Sequence, residues 1–359
     1  MPGNPTILFI HFGESSFVKE DLRILESFGE VRVFHFQASK SGFSLLKNFV
    51  QQVFWLLNNT PDADLIYCWF SDYHSFLPTV FSKWLGIPSI TVLGGFDCNK
   101  IESLNYGIFC SSWRAPLGKY VLKNSSLLLP VDKTLIKTDA IAKHWGESHP
   151  NGVTQNIPGF NKNNWEALAT GYDPKAWKPG SLQREKIVST VALCSNHRTA
   201  LIKGWDLFIE ASKLLPDYTF KIVGADPQLV PELKERYQPG KNLEFLPPIP
   251  RQELENIYRQ SSVYAQLSRA EGLPNVLCEA MMCGCVPVGS AVFGIPHGIG
   301  KAGLIAENPD PDKIAELIRE AHHNAEELRP KARQRIIEEF SLENRTTRLQ
   351  TIISEAAEL

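Results

Sequence analysis

No run of apolar residues in this 359-residue chain reaches the ~18 that a bilayer-crossing helix needs. Charge of neither sign is in excess. The 37 Lys and Arg nearly balance 39 Asp and Glu, leaving a formal charge of -2, and no Lys/Arg run exceeds two residues. The basic field that would attract nucleic acid is therefore missing. The opening residues, MPGNPTILFI, have no basic region before their apolar stretch, and that stretch is too short for a secretory h-region. Sequence repeats and low-complexity tracts are also absent. Cysteine is sparse and odd in number, seven, scattered singly apart from Cys283 and Cys285. One C-x-C pair lacks the second pair of ligands that zinc wants, so these residues read as small buried hydrophobes in a reducing compartment, by default the cytoplasm. What remains is the balance of a soluble globular protein, 43 % hydrophobic and 21 % charged. The length exceeds one ordinary core and fits two domains.

Along the chain, short apolar runs alternate with helical stretches, which predicts parallel sheets covered by helices. Strands are expected over 6–11, 31–36, 64–69 and 88–93, the last ending at Gly94-Gly95, with a helix from about residue 18. The pattern then restarts. Strands are expected over 187–194, 219–223, 243–246, 263–267 and 286–289, and helices over 205–214, 251–259, 274–283 and 311–324. Residues 151–183, rich in Asn, Gly, Pro and Lys, have linker chemistry. The expected division is a Rossmann-like domain over 1–183, with its linker near 174–183, and a second over 184–341. A last helix over 342–359 could pack on either, with a return to the first preferred. Two doubly wound sheets so joined imply a cleft, and ligands of open α/β sheets gather at strand carboxyl ends.

The most informative segment is Ser268-Arg269-Ala270-Glu271-Gly272-Leu273-Pro274-Asn275-Val276-Leu277-Cys278-Glu279-Ala280, which follows a strand. Pro274 suits the first residue of a helix, leaving Glu271 in the loop and Glu279 more than a turn inside. The free N–H groups of such a helix start suit an anion, and Gly272 lets a ligand approach the backbone. An ionised carboxylate can accept from two hydroxyls, as a ribose or sugar diol presents them. Ordinary helix decoration is the plainer reading of both glutamates. In the same half, Arg198 and Lys203 lie in HRTALIKGW, between a strand and a helix. A guanidinium fork and a flexible ammonium from one loop fit a diphosphate, although solvated loop charges would look the same.

The second half resembles the retaining GT-B fold glycosyltransferases of family 4, the group 1 transferases. The matching stretches are HRTALIKGWDLFIEA, FKIVGADP, LEFLPPIPRQELENIYRQSSVYAQLS and AEGLPNVLCEAMMCGCVPVGSAVFGIP. The spacing Glu271-x7-Glu279 after an Arg…Lys-Gly loop is the specific part. The first half matches more loosely, through Gly13, the DLIYCWFSDYHSFLPTVFSKWLGIPSITVLGGFD stretch and Thr170-Gly171-Tyr172-Asp173. The resemblance implies two Rossmann-like domains and transfer of a hexose-type sugar, with retention and without a metal, from a UDP- or GDP-sugar to a glycan, lipid-linked or small-molecule acceptor. It gives Arg198 and Lys203 the donor diphosphate, Glu279 the ribose and Glu271 the donor sugar. Backbone groups of Gly272, Leu273, Pro274 and Asn275 would meet sugar and phosphate, with Ile249 near the base and Gly13 facing the phosphates from the other domain. A diphosphate leaves readily once its charge is stabilised, so electrostatics should dominate.

One departure stands in the first half. The family usually carries His-Gly before a nearby Asp at the strand end that here reads ITVLGGFD, so Gly94-Gly95 keeps Asp97 without the imidazole. His74 could compensate, although a lone histidine is more often structural. Asp62-Ala63-Asp64 and Asp310-Pro311-Asp312 look like DxD metal triplets, but turn and cap chemistry explains them and no metal is expected. Residues 43–57, FSLLKNFVQQVFWLL, form an apolar helical stretch with one charge, Lys47. A core helix is the preferred reading. The other is a surface helix meeting lipid, which would make the protein peripheral at the inner membrane face. Two further readings keep the fold: a sugar-nucleotide 2-epimerase, for which no histidine with carboxylates across the cleft is evident, and a binding protein without turnover, suggested by Gly94. A glycoside hydrolase needs carboxylates flanking one bond, whereas Glu271 and Glu279 share one wall.

Overall fold

A computed structural model describes residues 4–13, 15–38, 41–138, 151–160, 163–180 and 184–357. Residues 181–183 of the expected linker and 358–359 of the expected last helix lie outside the described residues. The chain divides into two compact units. One comprises the chain up to Thr138, Asn151–Gly171 and the C-terminal helix from Glu343, and the other runs from Tyr172 to Leu342.

The first unit runs β1 (Thr6–His11), α1 (Ser16–Glu26), β2 (Glu30–His35), α2 (Gly42–Asn59), β3 (Leu65–Trp69), α3 (Tyr73–Leu85), β4 (Ser89–Leu93), α4 (Arg114–Asn124), β5 (Leu127–Pro130) and α5 (Val153–Asn156). Its strands are all parallel, in the order β2-β1-β3-β4-β5. Every residue of β3, LIYCW, is buried, so alternate side chains serve the two faces of the sheet. On one face Leu8, Ile10, Ile66 and Cys68 pack with Leu56 of α2 and Phe81 of α3. On the other, Tyr67 and Trp69 donate to the carboxylate of Asp21 in α1.

Helix α2 overturns the core reading of residues 43–57. Phe43, Leu46, Val50, Phe54 and Leu57 point outward, with exposures of 81, 61, 46, 63 and 48 %. The buried side is Asn48, Gln52 and Leu56. Asn48 Nδ2 donates to the Gln37 carbonyl (2.8 Å) and Gln52 Nε2 to that of His74 (2.7 Å). These bonds, the buried one to the His74 carbonyl above all, hold the amides inward, and the apolar residues opposite them are turned out.

The second unit runs β6 (Ile187–Cys194), α6 (His197–Ile202), α7 (Trp205–Lys213), β7 (Thr219–Ala225), α8 (Val230–Tyr237), β8 (Leu243–Leu246), α9 (Arg251–Gln260), β9 (Val263–Gln266), α10 (Asn275–Met282), β10 (Val286–Ser290), α11 (Ile295–Ile299), β11 (Leu304–Ala306), α12 (Pro311–His323) and α13 (Ala325–Glu339). Helix α14 (Leu342–Ala357) then belongs almost entirely to the first unit. The sheet is parallel, in the order β11-β10-β9-β6-β7-β8. Strands β6 to β8 step outward in one direction and β9 to β11 in the other, so the order reverses between neighbours β6 and β9. The loops leaving their carboxyl ends diverge at this switch point, where open α/β sheets hold ligands. The two DxD triplets are local structure: Asp310 caps α12 by accepting from the Asp312 N–H (3.0 Å), and Asp64 accepts from that of Thr6 (2.7 Å).

Candidate active site in the second unit

Lys203 and Glu271 stand on the two loops at that switch point. Lys203 caps α6, and Gly204 follows in the left-handed conformation at φ 70°. A Cβ at Gly204 would lie 1.9 Å from the Leu267 carbonyl oxygen, so only glycine lets the loop close onto the end of β9. The Arg269 N–H donates to the Ile202 carbonyl (2.7 Å), and its guanidinium forks onto Asp206 of α7 at 2.8 and 2.7 Å. These contacts clamp one loop to the other and bring Lys203 Nζ to 2.6 Å from Glu271 Oε1. Ser268 Oγ donates to the same oxygen at 2.9 Å, Gln266 Nε2 to Ser268 Oγ at 2.7 Å, and Tyr264 OH to Gln266 Oε1 at 3.0 Å. Glu271, only 13 % exposed, is thus held in one orientation from beneath. Neither Ser268, Gln266 nor the Arg269–Asp206 fork was singled out from sequence. Their partners lie on other elements or deeper in the strand, and the only signal was that Ser268 and Arg269 fall within the informative segment.

Arg198 lies exposed in the first turn of α6, whose cap Asn196 accepts from the Thr199 N–H at 3.0 Å. Pro274 is the cap of α10, extended at ψ 119°, and not its first helical residue as expected. Asn275 opens the helix and accepts from Tyr172 OH at 2.7 Å. Gly272 accepts at its carbonyl from the Gly294 N–H, and Leu273 is buried. Ile249 is half-buried on the loop between β8 and α9.

Glu279 lies one turn into α10, half-buried and with no hydrogen-bond partner for its carboxylate among the described residues. Burial among protein atoms raises its pKa from 4.5 to about 8, against the opposing pull of Arg251. Between those two values the folded state holds a proton that the unfolded state has lost, so stability falls as pH rises and the full penalty is present above pH 8. Glu279→Gln cannot ionise. Its melting temperature should match the parent near pH 4 and exceed it above pH 8 by about 5 °C, taking about 2 kcal/mol after discounting for partial exposure. A constant offset across a pH series of thermal melts would show that the carboxylate is not desolvated.

In the first unit, Gly13 follows β1 at φ 81° and nothing lies within 4 Å of an added Cβ. That end of β1 adjoins β3, the reversal point of the sheet. His74 is a core residue: it is 2 % exposed, its Nε2 faces the Trp69 carbonyl at 2.7 Å, and burial lowers its pKa. Asp97 is likewise buried and tied to the backbone, accepting from the N–H groups of Gly94 (3.1 Å), Gly95 (2.9 Å) and Ser71 (3.0 Å). Neither carboxylate oxygen is turned outward for an acceptor; the residue knits the ends of β3 and β4 together.

Residues 184–339 match the family model of the group 1 glycosyl transferases. Over that stretch the chain resembles this family. Among curated relatives it is 30 % identical over 161 residues to a D-inositol 3-phosphate glycosyltransferase of Mycolicibacterium gilvum, covering 42 % of this chain and 33 % of that protein. It is 24 % identical over 160 residues to one chain of the phosphatidylinositol N-acetylglucosaminyltransferase of Arabidopsis thaliana, covering 43 % and 35 %. The matches thus span about a third of those relatives' length. The whole fold is shared with the sucrose-phosphate synthase of Thermosynechococcus elongatus, with a TM-score of 0.72, 16 % identity and 98 % of each chain covered. Anabaena HepE, solved with UDP and glucose, gives 0.70 at 15 % identity over 98 % of this chain and 99 % of that one. These likenesses show the GT-B fold.

Against the group 1 pattern, the structure accounts for the glycine at position 94. An added Cβ there would lie 2.3 Å from Cε1 of Phe70, so a histidine has no room while that ring stays in place. Phe70 is itself held at φ 72°, a conformation rare for an aromatic residue, at the carboxyl end of β3. Where the group 1 pattern has an imidazole, this chain thus has an aromatic ring contributed from the end of the neighbouring strand. Among the described residues no three His, Cys, Asp or Glu side chains are grouped to hold a metal ion, and no helix is long and apolar enough to cross a membrane.

Proposed function

We propose that the protein is a retaining glycosyltransferase that moves a hexose-type sugar from a UDP- or GDP-sugar to a glycan, lipid-linked or small-molecule acceptor, with no metal requirement. The observation that carries this reading is the Lys203–Glu271 pair, locked by Ser268 and Gln266 at the switch point of the second sheet. An ammonium there suits the β-phosphate of the leaving diphosphate, and Arg198, in the first turn of α6, adds a second positive charge. Glu271, once Lys203 turns to phosphate, presents its oxygens to sugar hydroxyls. Glu279, lacking an internal partner, is available to the ribose diol, which would replace its proton as a donor. Bond cleavage builds negative charge on the diphosphate and positive charge on the anomeric carbon. The cations stabilise the first, and no protein nucleophile is required.

The acceptor belongs to the first unit. A lipid-linked acceptor gains support from the relative whose name specifies phosphatidylinositol, and from the apolar outer face of α2. Gly94 favours one competing reading, a protein that binds the donor without turning it over. Incubating the purified chain with a panel of nucleotide sugars, with and without EDTA, separates the two. Release of UDP or GDP from one donor, accelerated by an acceptor and insensitive to EDTA, is expected. Tight donor binding with no release under any condition would favour the non-catalytic protein, and release abolished by EDTA would remove the metal-independent mechanism.

A further inference from the structure

Helix α2 is apolar on both sides: Leu56, Trp55 and Phe49 pack inward beside Asn48 and Gln52, while a second apolar stripe faces outward, and nothing in the donor chemistry explains that outer stripe. At ~100° per residue its five exposed apolar side chains, Phe43, Leu46, Val50, Phe54 and Leu57, fall within an arc of about 80°. The buried Asn48 and Gln52 lie on the opposite side. An outward stripe some four turns long carries a large hydration penalty and exceeds the scattered exposed leucines normal on a surface. The same layer carries charge of a single sign. Helices α2, α3 and α4, packed side by side, contain Lys47, Lys83, Arg114, Lys119 and Lys123 and no Asp or Glu at all. Arg114 is tied to Asp72, and Lys119 lies over the Phe109 ring. Lys47, Lys83 and Lys123 are exposed. Trp84 at the end of α3 and Trp113 at the start of α4, both exposed, extend the apolar surface with rings suited to a membrane interface. In a chain of net charge -2 this face is a local reversal.

We propose that the outer face of α2, flanked by the lysines of α2, α3 and α4, docks on a membrane bearing anionic headgroups, with α2 lying in the interface plane. An apolar stripe enters the acyl boundary while lysines at its sides meet lipid phosphates. A second copy of the chain is the poorer occupant, because a two-fold contact would set the lysines of one layer against those of the other with no acidic residue on these helices to receive them. The proposal does not rest on the donor reading.

Co-sedimentation of the full chain with vesicles tests it without any substrate. At about 0.1 M salt, binding should be several-fold greater to vesicles containing phosphatidylglycerol than to phosphatidylcholine alone, and weaker at high salt. Phe43→Ser with Phe54→Ser should lower binding at least about tenfold while leaving the melting temperature unchanged, since both side chains face solvent. Lys47→Glu with Lys83→Glu should erase the preference for phosphatidylglycerol while keeping the fold. Equal binding by the parent and the serine variant, or no binding by the parent, would overturn the proposal. So would a parent that self-associates in sedimentation and becomes monomeric in the serine variant, because the face would then belong to a second copy. A negative result leaves the donor site untouched, since no donor is present.

Discussion

Lys203→Ala should lose about 10²–10³ in turnover while donor affinity falls only several-fold, because its charge meets a diphosphate whose negative charge grows as the glycosidic bond breaks. In the free protein the ammonium is bonded to Glu271 at 2.6 Å, so donor binding exchanges one anionic partner for another and the net gain in the ground state is small. In the transition state the leaving diphosphate is the stronger partner, and the difference appears in kcat. Lys203→Arg tests the same point from the other side. It keeps the charge but brings a planar fork where a compact ammonium fits against Glu271, and intermediate turnover is expected. Donor affinity by calorimetry and turnover by nucleotide release measure the two effects separately. Equal losses in both would mean that Lys203 binds substrate and transition state alike, and its role would then be confined to binding.

Removal of Lys203 also leaves Glu271, among the described residues, with only Ser268 and Gln266 as donors at a nearly buried site, so a modest fall in stability of about 1–2 kcal/mol should accompany the kinetic loss. A variant whose melting temperature recovers when Glu271→Gln is added, while turnover stays low, would separate the structural share of the effect from the catalytic one.

The convergence of Lys203 and Glu271 was legible in the sequence because each follows a buried, parallel strand, and such strands read as continuous apolar runs with loops at their carboxyl ends. Strands β5, LLLP, and β11, LIA, were not read, since β5 runs into a proline that reads as a breaker and the three residues of β11 carry no periodicity. Helix α3 was hidden by Pro78 inside it. The network beneath Glu271 was illegible for a different reason: Gln266 and Tyr264 read simply as strand residues, and Asp206 meets Arg269 across 63 positions. Helix α2 failed in the opposite sense. Its composition predicts burial, and only the neighbouring carbonyls of Gln37 and His74 determine that Asn48 and Gln52 take the inside. Gly94 was visible as a departure, but its cause was not, because the ring that fills the space comes from Phe70, two dozen residues earlier on the neighbouring strand.

Arg345→Ala should destabilise the first unit by about 3–5 kcal/mol, lowering its melting temperature by on the order of 10 °C. Arg345, on α14, is 2 % exposed, with Nε 2.6 Å from Asp21 Oδ1 and its second amino group 2.7 Å from Oδ2. Its remaining amino group donates to the carbonyls of Leu168 and Ala169 at 2.9 and 2.7 Å. Asp21 Oδ2 also accepts from Tyr67 OH (2.8 Å) and Trp69 Nε1 (2.9 Å), so one carboxylate gathers α1, β3 and α14. Buried ion pairs can often be replaced by apolar residues of similar volume without loss, but this one should not be. In the double variant Asp21→Leu/Arg345→Met, the Tyr67 and Trp69 donors and the Leu168 and Ala169 carbonyls would all lose partners at buried sites, each loss costing about 1–3 kcal/mol. The double variant should therefore melt no higher than Arg345→Ala. Recovery to the parent's melting temperature would show that the four surrounding groups find other partners, and that the ion pair contributes little beyond its volume.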